Sequence, residues 1–298
     1  MHKLKKISLF ILMLSLAVTI QLTFPACEEN DDNGDNGDNG DLHQVGVLDP
    51  TNDYEVIVQI MGIGSMGCSM GDVILNGSAV EDADFKINSV EFVYDEDLEV
   101  YTDQSNLIAY TAGTEYNLII KHSENTIATG YAIMPSIPTV NNITSPYSHN
   151  LNTDLELEWV DVTNASSILV TVQFEDTVTW EDEIYHSGLI SGEATSFTIP
   201  GSFFDSNGEY VLTIEAYYGI KEGLDMDAID STKGYNIDGP AGIFMAVTVF
   251  PSDLDSEGFI IQIGTLAQRL GKQTENKISY RELVARNRER FLESFKKK

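Results

Sequence analysis

The chain has 298 residues, 42% of them hydrophobic, with two cysteines and a formal net charge of −30. That is length for two domains of ordinary size and apolar content enough for real cores, with too little cysteine for a disulfide scaffold. So acidic a body excludes a nucleic-acid binder or a protein held to anionic lipid by its surface, because it repels both.

The first 26 residues read as an export signal. Lys3, Lys5 and Lys6 make a positive start, and Ile7 to Ile20 is a largely apolar run, short of the roughly 20 residues of a spanning helix. Phe24-Pro25-Ala26-Cys27 follows. The small residue directly before Cys27 resembles the lipobox of bacterial lipoproteins, with Phe24 where that motif has Leu and Pro25 where it has a small or aliphatic residue. The resemblance implies a diacylglyceryl group on the Cys27 thiol and cleavage that makes Cys27 the new N-terminus. An ordinary secreted protein and an uncleaved anchor are the alternatives. Acyl chains contribute about 0.8 kcal/mol per buried methylene, enough to hold a soluble body on a bilayer without another membrane segment. With Cys27 lipidated, Cys68 has no intramolecular disulfide partner; a Cys27–Cys68 bridge is the rival.

Residues 28–41, EENDDNGDNGDNGD, carry no apolar side chain and read, within residues 27–44, as a solvated acidic spacer. Glu28, Glu29, Asp31 and Asp32 are similar to the acidic signal that follows the lipidated cysteine of Bacteroidetes surface lipoproteins. The Asp-Asn-Gly triplets do not make a calcium loop, since Asp32-x-Gly34-x-Asn36-Gly37 puts glycine where a side-chain ligand is needed.

From Tyr54 the apolar period is two, with turn signals every eight to twelve residues, which predicts antiparallel sandwiches. In residues 45–137 the strands are Tyr54 to Ile60, Val73 to Leu75 running into an Asn76-Gly77 turn, Val90 to Tyr94, Tyr116 to Ile120 and Thr126 to Met134. Pro135 and Pro138 mark a boundary. In residues 138–252 the strands are Leu155 to Trp159, Ile168 to Phe174, Ser196 to Ile199, Gly208 to Ala216 and Ile243 to Phe250. A strand ending in Trp159, Asn164-Ala165 before the next, and Tyr210-x-Leu212-x-Ile214-x-Ala216 together resemble a fibronectin type III domain over residues 138–250. The resemblance implies that Trp159 fills the core and that Tyr210 anchors a corner through its hydroxyl. Tyr116-x-Leu118-x-Ile120 echoes the same corner. The expected fold is all-β, two tandem Ig-like or fibronectin III-like antiparallel sandwiches, with a C-terminal amphipathic helix.

Chemistry is harder to place. Gly62-x-Gly64-x-x-Gly67 matches a dinucleotide fingerprint, but Asp72 leads into another strand rather than a helix N-terminus, so no dinucleotide is expected. Met61, Met66, Cys68 and Met70 are soft atoms on a glycine-rich hairpin without histidine, better read as packing than as a copper site. His43, His122, His149 and His186 show no zinc spacing, and carboxylates are too numerous for any pair to mark a glycosidase. No metal, no cofactor and no catalytic residue is expected. The best binding edge is Trp180-Glu181-Asp182-Glu183-Ile184-Tyr185-His186, where Trp180, Tyr185 and His186 suit sugar stacking or a peptide; the competing reading is a hairpin whose aromatics cap the core.

Charge then reverses. Residues 265–298 hold ten Lys and Arg against four Glu, whereas Glu28 to Gly264 holds four basic residues against 43 acidic ones. Ser279-x-x-Glu282 is a capping box, and Tyr280, Leu283, Val284, Phe291 and Phe295, with Arg288 beside them, predict a basic helix whose apolar face meets a partner or the protein's own domains. The whole reads as an exported, lipid-anchored cell-envelope protein, non-enzymatic, with a binding or adhesion role toward a glycan or envelope protein and none toward nucleic acid. A structural subunit joined to an envelope assembly through the basic tail is the alternative, and a hydrolase the third reading.

Overall fold

The computed structural model describes residues 46–63, 66–96, 98–175, 182–224, 230, 232–252 and 258–263. Nineteen strands fill them. Those of the first half are β1 (Val47–Leu48), β2 (Tyr54–Ile63), β3 (Met66–Leu75), β4 (Ser78–Ala79), β5 (Asp84–Ile87), β6 (Val90–Asp95), β7 (Val100–Thr102), β8 (Glu115–His122) and β9 (Asn125–Ile133). Alternation builds them: in β8 Tyr116, Leu118 and Ile120 are buried while Glu115, Asn117 and Ile119 face outward. The Asn76-Gly77 turn between β3 and β4 has both residues at positive φ, 53° and 74°, as a tight hairpin requires.

The second half comprises β10 (Tyr147–His149), β11 (Leu155–Glu158), β12 (Ser167–Glu175), β13 (Asp182–Ser191), β14 (Ser196–Ile199), β15 (Gly208–Tyr218), β16 (Gly234–Tyr235), β17 (Ile237–Asp238), β18 (Ala241–Phe250) and β19 (Phe259–Ile263). β11 and β14 form a small sheet, extended by a bridge from Val140 to Trp159. It faces a larger layer in which β13 pairs β12, β12 pairs β15, and β15 pairs β18 along one end and β19 along the other. This arrangement of a small layer against a larger one is a fibronectin III-like sandwich. Leu155, Leu157, Trp159 and Ile199 from the small layer meet Val170, Val172, Tyr210, Leu212 and Ile214 from the large one. The Trp159 indole N–H donates to the Ala194 carbonyl at 2.8 Å. Tyr210 hydroxyl donates to the Ser206 carbonyl at 3.0 Å and accepts from the Ser206 N–H, which is the corner expected of it. The Tyr116 hydroxyl donates to the Ala109 carbonyl at 2.6 Å.

The first half is not a second such sandwich. Its strands pair in the order β2, β3, β7, β6, β5, β8, β9, β17, and β17 runs through Gly239 and Pro240 into β18, which returns to pair β2 in parallel, Ala241 to Glu55 through Thr248 to Gly62. The sheet thus curls around one core of Val56, Val58, Ile60, Phe85, Leu118 and Phe244. β18 belongs to both halves at once. The expectation of two separate tandem sandwiches is therefore corrected to one continuous curled β system with a fibronectin III-like part. The expected C-terminal helix is corrected too. Among the described residues there is no α-helix, only a 3-10 turn at Gly201–Phe203, and the segment assigned to that helix lies outside the described residues.

β18 explains why the two halves share a sheet. Phe244 and Ala246 enter the first core, whereas Ile243, Met245, Val247 and Val249 point to the other face. Both faces are buried, so the strand reads as a continuous apolar run rather than an alternating one. The first and second cores lie on the same side of this shared sheet, and a third cluster occupies its reverse face.

Candidate interaction surface

β13 is an edge strand: among the described residues it pairs with β12 alone. Its backbone carries a bulge, since Leu169 pairs Leu189 while Thr171 pairs His186, three residues of β13 against two of β12. Ser187 and Gly188 form the bulge. The Ser187 hydroxyl accepts from the Val170 N–H at 3.0 Å and donates to the Gly188 carbonyl at 2.6 Å, with Gly188 at φ +71°. Such an irregularity turns part of an edge away from indiscriminate pairing and leaves the rest available to a chosen partner.

The sequence-derived site residues are not one constellation. Tyr185 pairs Val172 and packs inward, its ring 5.7 Å from Phe203 and 6.3 Å from Phe197, and burial raises its hydroxyl pKa. It caps the second core. His186, one residue on, points to the reverse face, where its Nδ1 lies 3.0 Å from the Thr171 hydroxyl, and its ring is exposed. Trp180 lies outside the described residues, as do Cys27 and Tyr280, Leu283, Val284, Arg288, Phe291 and Phe295.

Sequence reasoning missed the reverse face itself. Along β12 the residues between the core positions are Leu169, Thr171 and Gln173; along β15 they are Val211, Thr213, Glu215 and Tyr217; along β2, Ile57, Gln59, Met61 and Ile63. Register sets them side by side, Thr171 against Thr213, Gln59 against Met245, Met61 against Cys68. A half-polar row of this kind normally faces water, yet Gln59, Thr171, Gln173 and Thr213 are 1–4% exposed. Gln59 Oε1, both polar atoms of the Gln173 amide and Thr213 Oγ1 have no hydrogen-bond partner among the described residues. The signal in the sequence was the alternation of β12 and β15, which shows which residues share a face but not that the face is sealed.

The glycine-rich hairpin has a packing role. Gly62 pairs Gly67 across β2 and β3, and a Cβ at Gly67 would fall inside the Tyr110 ring, which lies over that position with its hydroxyl 3.1 Å from Ser69 Oγ. Burial drives the Tyr110 pKa up to about 12. Glycine is needed there for an aromatic neighbour, not for a pyrophosphate. Among the described residues no three His, Cys, Asp or Glu side chains converge as metal ligands do. Met61 and Cys68 sit in the third cluster, against Val247 and Tyr217. The ion pairs Lys86–Asp84 and Lys233–Asp49 are solvent-facing and contribute little, and His122 Nε2 lies 3.2 Å from Asp82 Oδ1. No helix among the described residues is long and apolar enough to cross a membrane.

No protein-family model matches the chain, and no curated protein matches it. Among solved structures it is similar to the FN1-FN3 domains of chicken CNTN1, at 14% identity over 59% of this chain and 65% of that one, with a TM-score of 0.23. It is also similar to the chicken interferon gamma receptor alpha chain, at 10% identity over 57% of this chain and 89% of that one, with a TM-score of 0.17. At those scores the superpositions carry no argument, and the fibronectin III-like assignment rests on the strand pairing and the Tyr210 corner.

Proposed function

We propose that the protein is an exported, lipid-anchored cell-envelope component that acts as a non-enzymatic binding or adhesion module. The observation that carries the reading is the bulged edge strand β13, entered through an aromatic and acidic run that ends at the exposed His186. Such an edge offers backbone N–H and C=O groups to a partner strand, and Trp180 with His186 supplies stacking and hydrogen bonding for a glycan or a peptide of an envelope protein. Tyr185 supports the edge from beneath. The Cys27 lipid and the acidic spacer of residues 27–44 hold the β body clear of the bilayer.

Glycan and envelope-protein arrays probed with the spacer-plus-body protein test the role. Trp180→Ala with His186→Ala is expected to weaken the best hit at least tenfold while leaving the thermal midpoint in place. Equal binding by the double variant, or no hit on either array, overturns the assignment. Mass spectrometry of the mature N-terminus tests the tether separately, and a free unmodified Cys27 overturns it.

A further inference from the structure

We infer that the outward face of β5, β6 and β8 is a self-association surface, and that its partner is a second copy of this chain. Register sets out the face. Lys86 of β5 lies between Glu91 of β6 and Ile119 of β8, and Asp84 of β5 lies beside Lys121 of β8. Val93 stands two residues beyond Glu91 on the same side of β6, next to Asp84 by the same register. Beneath these six are Phe85, Phe92 and Ile120 of the first core, the two phenyl rings stacked at 4.9 Å. The platform is therefore pre-ordered, and little conformational freedom is lost when it binds.

Two features set this face apart from an ordinary solvated sheet surface. Val93 and Ile119 are each 45% exposed at positions where alternation normally puts polar side chains. The Lys86 stem crosses the diagonal between them, because its ammonium donates to Asp84 Oδ1 at 2.5 Å. Charge is balanced here as well. Between Glu28 and Gly264 the chain has four basic residues against 43 acidic ones, and two of the four, Lys86 and Lys121, share this face with Asp84 and Glu91. One strongly acidic body repels another, and a face whose charges cancel is where two copies can meet.

The pattern is also self-complementary. Lys86 and Asp84 satisfy each other, whereas among the described residues Lys121 and Glu91 have no ion pair of their own. These two occupy opposite corners of a rectangle of about 10 by 7 Å at the usual strand spacings, with Val93 and Ile119 at the other corners. A two-fold axis in the contact plane, running close to the Val93–Ile119 diagonal, sets each apolar residue against its counterpart. It also sets Lys121 against Glu91 in both directions, as an isologous contact requires. So small a patch lies at the low end of protein interfaces, which makes the dimer weak and concentration-dependent.

The full mature chain carrying Cys27→Ser, free of lipid and of the Cys27 thiol, tests the surface. Sedimentation velocity from about 10 µM to about 1 mM is expected to show a monomer–dimer equilibrium. Ile119→Asp and Lys121→Glu are each expected to weaken it at least tenfold, and Lys121→Glu combined with Glu91→Lys to restore it. A second readout leaves the face unaltered. Carbodiimide joins a lysine amine to a carboxylate in contact, forming an amide with loss of water, and a mixture of isotopically distinct copies is expected to give Lys121–Glu91 links between them. A chain that stays monomeric to about 1 mM, whatever else the face captures, overturns the proposal. So does a dimer that Ile119→Asp leaves intact, a Lys121→Glu loss that Glu91→Lys does not repair, or linking between copies that avoids Lys121 and Glu91.

Discussion

Glu55 shows what a single residue does in an acidic protein. It sits on β2 between its ladder partners Ala241 and Ile74, and burial raises its carboxyl pKa above the ordinary value. A carboxyl whose folded pKa exceeds its unfolded one adds stability at low pH, and that contribution is lost as pH rises through the folded value. Removing the charge should therefore help at neutral pH and make no difference in acid. Glu55→Gln is expected to raise the thermal midpoint by about 2 °C at pH 7 and to converge with wild type near pH 3, as measured by melts across that range. Tyr185 and His186 make a different point at the same scale. Their adjacency in sequence suggested a shared surface, but neighbours on a strand face opposite ways, so one became a core cap and the other a surface ring.

Among elements, the β2–β3 hairpin is specified by contacts that only the fold supplies. Tyr110 arrives from the β7–β8 connection to lie over Gly67, so a methyl group there displaces the ring and its hydrogen bond to Ser69. Gly67→Ala is expected to cost about 1–3 kcal/mol in denaturant unfolding, most of it recovered in a Gly67→Ala, Tyr110→Ala background, because the second change removes the obstruction. Independent, additive losses would argue that the glycine serves the backbone instead. Elements with clean alternation, such as β8 and β11, were legible in the sequence, as was the Asn76-Gly77 turn. β13 is absent from the expected strands, and its bulge at Ser187 and Gly188 breaks the period of two midway. β19 was missed because it is five residues, four of them buried, with Gln262 as its single polar position. A strand over Ile243 to Phe250 was legible, but nothing local in it names β2 as the partner.

For the molecule as a whole, the parallel pairing of β18 with β2 makes the two cores one cooperative structure. Loss of packing in one should be felt in the other. Both tryptophans, Trp159 and Trp180, lie in the second half, so fluorescence reports that half and far-UV circular dichroism reports all strands. Leu118→Ala, a truncation deep in the first core, is expected to lower stability by about 2–4 kcal/mol and to shift both probes to the same lower midpoint. A fluorescence transition that stays in place would show that the halves unfold separately. The same coupling explains why composition alone suggested two domains: enough apolar residue is present for two cores, and only long-range pairing tells whether they are independent.

Strand order also sets a timetable. β2 begins at Tyr54, but the strand that completes its flank is not finished until Phe250, nearly two hundred residues later. A chain synthesised from its N-terminus delivers β2 long before β18, leaving the β2 edge without that neighbour until most of the molecule has been made. Through that interval the edge is open to other strands. Closure of the first core is therefore a late event, and any factor that shields a waiting β-edge has its natural client in Tyr54–Ile63.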